Sequence, residues 1–273
     1  MIRIITDSTI YIKKNDADEL KVKIVPINYV VNEKLFYESF SDDNENFEEL
    51  INSNNRISTS QPNPAAFVNM FEEELALGNE ILCITISSRL SGTYNSASMA
   101  ANQIDGGNVY VFDSHLTAGV LYLLVRKAKK MIDNGEKIID IITKLTEIRE
   151  NISIIFSVDD MKPLRNSGRI GFVRMSVGTI LNIKPILLCK DGIVVADSVA
   201  HGTNEAIKKL VDKIPSNATE VIVNYISNNR VASNLYNVIK SKYPQMKTNL
   251  SKMGPVLGVH LGLQVVAVSF IVE

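Results

Sequence analysis

Between Ile2 and Phe112 the chain alternates short continuous apolar runs with longer amphipathic segments, and this alternation constrains the fold more than any other feature. The runs Ile2–Thr6, Lys23–Val31, Glu80–Ile86 and Val109–Phe112 have the length and β-branched content of strands covered on both faces. The spacing predicts helices over Pro64–Leu77, Thr93–Gln103, Leu116–Asp133 and Lys137–Asn151, with Asn134-Gly135 as the break between the last two. Ile12–Leu20 is too short and polar to assign. Strands and helices in this order build an open parallel sheet with helices packed on it.

Near residue 150 the texture changes. Ile152–Val158 reads as a strand, followed by a Pro- and Gly-containing turn region at Lys162–Gly171 and a helix at Phe172–Leu181. Lys184–Cys189 and Ile193–Val199 flank Lys190-Asp191-Gly192, and two apolar runs joined by Asp-Gly signal a hairpin. Helices are expected at Glu205–Ile214 and Val231–Tyr243, with strands at Glu220–Ile226 and Gln264–Val272. At 273 residues the chain is long for one core, and 45% hydrophobic residues suffice for two. The expectation is an α/β protein: an open parallel-sheet, Rossmann-like domain over residues 1–150 and a smaller α+β domain with a hairpin-containing sheet over residues 151–273.

Charge and composition exclude several classes. The formal net charge is −1, which gives no general attraction to nucleic acid or to an anionic membrane. No apolar run approaches the roughly 18 residues of a bilayer-spanning helix. The chain opens directly into Ile2-Arg3-Ile4-Ile5, without the basic start and cleavage site of a secretory signal. Cys83 and Cys189 each sit inside an apolar run and read as buried free thiols. A cytoplasmic location is the expectation.

The candidate chemistry lies at strand ends. Thr6-Asp7-Ser8-Thr9, Ser87-Ser88 and Asp113-Ser114 place hydroxyls and acids where ligands bind in open parallel sheets, beyond the carboxyl ends of the strands. Helix capping accounts for any one of them; their coincidence favours a crevice. Ser91-Gly92-Thr93 precedes a helix whose first N–H groups favour an anion, and Gly92 lets a ligand approach the backbone. Ordinary capping is the competing reading there, as it is for Thr59 and Ser60 ahead of Pro64. G-x-x-x-x-G-K-[ST] is absent, as is G-x-G-x-x-G after the first strand, so a smaller anion is favoured over a nucleotide. His260 stands among Gly254, Gly258 and Gly262, either as a core histidine or as a polar tip aimed at a ligand. No paired His, H-E-x-x-H or C-x-x-C suggests a metal, and no cofactor is expected. A serine hydrolase built on Ser91 and His260 lacks the G-x-S-x-G elbow. Lys162–Ile170, with Arg165, Arg169 and the nearby Arg174, is locally basic and reads as a solvated turn or as an anion- or partner-steering surface.

Seven of these segments, in this order, resemble the DegV family of bacterial fatty-acid-binding proteins. They are Ile4-Ile5-Thr6-Asp7-Ser8, Thr59-Ser60-Gln61-Pro62, Ser91-Gly92-Thr93-Tyr94, Val111-Phe112-Asp113-Ser114, Gly168-Arg169-Ile170, Ile183-Lys184-Pro185-Ile186-Leu187 and the stretch from Gly254-Pro255 to His260. The resemblance covers nearly the whole chain. It implies a non-enzymatic carrier that binds one long-chain fatty acid between its two domains. It also implies a partner, a fatty acid kinase that makes the acyl-phosphate for phospholipid synthesis, with at most transient membrane contact. By the same resemblance Thr59 and Ser91 are the carboxylate ligands, Gly92 supplies backbone, and Ser60, Thr93, His260 and Arg169 belong to the same site. Two departures stand out: Leu261-Gly262-Leu263-Gln264 after His260 where relatives often have Thr-Gly-Pro-Gly, and Ala200-His201-Gly202-Thr203 where they often carry arginine. The first bears on the pocket wall, the second on kinase recognition. The acyl tail is expected against helix faces such as Phe67, Met70 and Phe71. The rival readings are an acyl hydrolase using Ser91 and His260, and a regulatory module for another small carboxylate.

Overall fold

The computed structural model describes residues 1–44, 47–52, 55–170 and 182–272. Its first half runs β1 (Ile2–Asp7), α1 (Lys14–Leu20), β2 (Val22–Val25), β3 (Ile27–Val31), β4 (Lys34–Glu38), α2 (Phe47–Asn52), β5 (Ile57–Ser60), α3 (Pro64–Ala76), β6 (Glu80–Thr85), α4 (Thr93–Ala101), β7 (Val109–Asp113), α5 (Gly119–Asp133) and α6 (Ile138–Glu150). The second half runs β8 (Ile152–Ser157), α7 (Lys162–Ser167), β9 (Ile183–Lys190), β10 (Ile193–His201), α8 (Gly202–Asp212), β11 (Ala218–Tyr225), α9 (Asn229–Lys242), β12 (Lys247–Lys252), α10 (Pro255–Leu261) and β13 (Val266–Val272). The fold is α/β: an N-terminal four-stranded sheet, order β2-β1-β6-β7 and parallel throughout, and a C-terminal six-stranded mixed sheet, order β10-β9-β8-β13-β11-β12.

Helices α3 and α4 cover one face of the parallel sheet, where Phe67, Phe71, Ala97 and Ala100 meet Ile5, Val25, Ile81 and Cys83. Helix α5 packs against β1 and β6 and also against β8, β11 and β13. It therefore lies between the two sheets, and Val120, Leu121, Leu123, Leu124 and Val125 are all buried. The first two turns of α5 are apolar on every side, as a layer covered on both faces requires, while its second half turns charged residues such as Lys130 and Asp133 outward. The outer face of the mixed sheet is covered by α8 and α9 through Leu210, Val211, Leu235 and Ile239.

The structure corrects the reading of Lys23–Val31 as one strand. Pro26 lacks the N–H that would continue the ladder, and the chain leaves the parallel sheet there. β3 instead joins β4 and β5 in a three-stranded antiparallel sheet, order β4-β3-β5. The β3–β4 turn places Asn32 and Glu33 both at positive φ, the conformation of a two-residue hairpin turn of the right twist. Thr59 and Ser60, read as loop, are the end of β5. The Lys162–Gly171 turn region contains the short helix α7, which ends at Gly168 with φ +68°. The Asp-Gly hairpin forms between β9 and β10, with Asp191 and Gly192 at positive φ. The helix expected at Phe172–Leu181, with Arg174, lies outside the described residues.

Candidate functional site: an internal cavity with a polar end

Most of the hydroxyls and acids at the ends of β1, β6 and β7 are engaged by other groups of the protein; Thr6 Oγ1 is buried without a partner among the described residues. Asp7 accepts from Thr9 N, Thr9 Oγ1 and Ile86 N at 3.0, 2.6 and 2.6 Å. Asp113 accepts from the N–H groups of Ser88 and His115, and Ser114 bridges its own turn to Leu116. Ser87 donates to Gly192 O at 2.8 Å, holding the tip of the β9–β10 hairpin against the β6–α4 loop. Asp7 caps the short helical turn Ser8–Ile10, whereas Asp113, Ser114 and Ser87 make loop and hairpin bonds rather than helix caps: the cap residues of α4 and α5 are Gly92 and Ala118.

Beyond this tier lies a cavity whose walls come from both halves of the chain. Thr59 and Ser60 reach it from β5, Ser91 and Gly92 from the loop before α4, Arg169 from the segment after α7, and His260 from α10. Thr59 Oγ1 lies 2.8 Å from His260 Nε2. Among the described residues His260 Nδ1 is buried without a partner. Ser91 Oγ lies 2.8 Å from Thr93 Oγ1 and accepts from Thr93 N at 3.3 Å. Thr93 itself is fully buried and is not part of the cavity wall, so it orients Ser91 rather than facing the cavity. Arg169 Nε donates to Leu90 O at 3.4 Å.

The rest of the wall is mostly apolar, with Ile27, Ile86 and Leu90 from the first half and Ile154, Phe156, Val194, Val256 and Leu261 from the second, among others; Gln61 and Thr117 are further polar residues on it. The space open to the centre of a water-sized sphere is about 110 Å³, within about 950 Å³ of free space that includes the mouth. By the first measure one water needs about 10–15 Å³, so the cavity is open yet narrow. Phe67 and Phe71 do not line it. They are fully buried against the outer face of the parallel sheet, and Met70 packs with them.

Burial, reinforced by the nearby Arg169 guanidinium, pushes the His260 imidazole down to about 4. The ring is neutral at pH 7 and can accept or donate at Nε2, but it carries no fixed charge. Among the described residues Arg169 supplies a cation to the cavity wall, so the polar end is not purely neutral. Burial pushes the Cys189 thiol, also on the wall, up to about 12, which leaves it an unreactive apolar surface. Ser91 and His260 are each engaged elsewhere, Ser91 with Thr93 and His260 with Thr59, so the nucleophile–base hydrogen bond of a hydrolase is not formed. Among the described residues no group of His, Cys, Asp or Glu is placed to hold a metal ion.

Gln61 was not singled out by sequence, yet its side chain occupies the space over Gly92. A Cβ on Gly92 would lie 2.4 Å from Gln61 Oε1. The signal was present in Gln61-Pro62-Asn63-Pro64, where a polar residue is fixed by two nearby prolines. Leu261, one of the departures from the family pattern, lines the cavity beside His260.

Fold and site together define an α/β protein with two main sheets, built around an internal, largely apolar cavity with one polar end. The model of the DegV family matches residues 1–273, and the chain belongs to that family. It is 32% identical, over 100% of this chain and 99% of the other, to a DegV domain-containing protein of Halalkalibacterium halodurans. Its structure is similar to that of a DegV lipid binding protein of Thermotoga maritima, with a TM-score of 0.90, 27% identity and coverage of 99% and 98% of the two chains. It is also similar to DegV of Bacillus subtilis, described as a fatty acid binding protein, with a TM-score of 0.86, 26% identity and coverage of 100% and 99%.

Proposed function

We infer that this chain binds one long-chain fatty acid, with its tail in the internal cavity and its carboxylate at the Thr59–His260 end. The cavity is the observation that carries the reading: an apolar, narrow space closed at one end by hydroxyls, a neutral imidazole and one guanidinium. In this reading the protein divides into domains at 1–150 and 151–273, and the lipid lies between them. Each buried methylene contributes about 0.8 kcal/mol, or roughly 12 kcal/mol for a 16-carbon tail before ordering and association costs. A buried carboxylate must be hydrogen-bonded to be tolerated. Thr59 can donate to it while accepting from His260 Nε2–H, Ser91 adds a second hydroxyl, and Arg169 supplies countercharge. Ser60 and the Gly92 backbone flank the head group, and Thr93 holds Ser91 in place.

The finer reading is a carrier role. The protein presents the bound acid to a fatty acid kinase for acyl-phosphate formation and performs no chemistry itself. A carboxylate held by hydrogen bonds at one end of its cavity suits such a hand-over, because nothing covalent has to be undone. The test is solvent extraction of the purified protein with mass spectrometry, followed by titration with palmitate and oleate. One fatty acid per chain is expected. A protein that carries none and takes up neither acid overturns the reading.

A further inference from the structure

Glu38 ends β4 and is fully buried, yet it takes no part in the cavity wall. Its two oxygens face different elements. Oε1 accepts from Ser8 Oγ at 3.0 Å, and Oε2 accepts from Val256 N at 2.9 Å. The next N–H of α10, that of Leu257, donates to the Tyr11 hydroxyl at 3.3 Å. The first N–H groups of a helix have no partner within it, and α10 has no capping side chain of its own. Glu38 and Tyr11, more than 200 residues away in sequence, supply what the helix lacks. The approach is close: a Cβ on Gly254 would stand 2.4 Å from Glu38 Oε2. Ser8 Oγ also accepts from the N–H of Ile27, a residue of the cavity wall, so the same carboxyl ties the β3 side of the cavity to α10.

We propose that Glu38 is the positioning residue for the head-group histidine: by holding Val256 N–H it fixes the start of α10, and with it the seat in which His260 meets Thr59. The proposal rests on the reading that this end of the cavity takes a carboxylate. His260 lies one helical turn beyond Val256 on a helix of seven residues, so a displaced first turn is passed directly to the imidazole. Among the described residues the titratable groups that face Glu38 are Asp7 from β1, Tyr11 from the turn after β1 and Tyr29 from β3, and no cation is among them. Burial pushes its carboxyl up to about 8, so an uncharged amide is a fair replacement at neutral pH.

Three variants test this: Glu38→Gln, which keeps an acceptor for Val256 N–H, Glu38→Leu, which removes it, and Gly254→Ala, which keeps the carboxyl but drives it off the helix. Palmitate affinity is measured by displacement of a fluorescent fatty acid, His260 by NMR titration of the ring, and folding by thermal melting. Glu38→Gln is expected to bind within about twofold of the parent, whereas Glu38→Leu and Gly254→Ala raise Kd by about tenfold or more while still folded. In both, the His260 midpoint climbs from near 4 towards its ordinary value. Folded Glu38→Leu and Gly254→Ala proteins with parental affinity and an unmoved His260 titration overturn the proposal. If Glu38→Leu does not fold, Gly254→Ala decides alone. A parent protein that binds no fatty acid defeats the carboxylate reading instead, and the His260 titration then still reports whether Glu38 positions the ring.

Discussion

Replacing Thr59 by Val tests the polar end of the cavity most directly, because the two side chains have nearly the same shape and differ by one hydroxyl. That hydroxyl sits 2.8 Å from His260 Nε2. Since His260 Nδ1 has no partner among the described residues, loss of that hydroxyl leaves neither ring nitrogen bonded to any of them. In the liganded state the variant also loses one donor to the carboxylate. A hydrogen bond to a charged group is worth about 1.5–3 kcal/mol, which corresponds to roughly 10- to 150-fold in Kd. The effect on folding is smaller, because Thr59 is only half-buried at the end of a short strand and Val is a good strand residue. The assay is displacement of a fluorescent fatty acid by palmitate, paired with a thermal melt. A folded Thr59→Val protein with parental palmitate affinity refutes the assignment of the head group to this end.

Ser91→Ala is expected to weaken palmitate binding by about tenfold with little change in melting, because Thr93 stays buried in place; equal affinity in titration calorimetry counts against Ser91 as a ligand. Val194→Trp places a large ring in free cavity space, so palmitate affinity falls by at least about tenfold while a short-chain acid is less affected, and unchanged palmitate binding shows that the tail lies elsewhere. The His260 midpoint by NMR is expected near 4 in the unliganded protein, and a value above 6 contradicts the buried, Arg169-flanked setting. The Glu38 carboxyl is raised from 4.5 to about 8. Its contribution to stability is therefore complete below pH 4.5 and lost as pH rises through about 8. Glu38→Gln is expected to flatten that slope in urea melts, and an identical slope in parent and variant refutes the assignment to Glu38.

The parts of the fold that were legible in the sequence are those governed by local periodicity. β1, β6 and β7 are continuous apolar runs, and α5 carries apolar residues on every side of its first turns. The Asp191-Gly192 turn was readable because only a few residues accept positive φ at two successive positions. What escaped was set by tertiary partners. β12, Lys-Thr-Asn-Leu-Ser-Lys, is polar because it is an edge strand with one long neighbour, and nothing in its own composition marks it. β5 is four residues with only partial burial, and it is a strand because β3 offers it an edge. Phe67 and Phe71 illustrate the limit on cavity residues: their helical spacing identifies a buried face, but which sheet face they cover decides between core and pocket, and that is a matter of topology.

The site residues divide in the same way, and the division explains why several strand-end hydroxyls were poor guides. In an open parallel sheet the carboxyl ends of the strands turn into loops whose N–H groups must be satisfied, and Asp7, Ser114 and Asp113 do that work. A ligand placed there has to compete with those bonds. Apart from Ser91 in the β6–α4 loop, the polar groups left for a ligand come from segments that reach the crevice from outside the parallel sheet: Thr59 from β5 of the antiparallel sheet, Arg169 from the link after α7, and His260 from a helix held by Glu38 and Tyr11. Each is brought in by a different element, so the head-group geometry depends on how those elements are tied together rather than on the parallel sheet alone. Residues that make the ties are therefore as decisive for affinity as those that touch the cavity. That is why a substitution such as Gly254→Ala, which adds one methyl group outside the cavity wall, is expected to act on ligand affinity more than on folding.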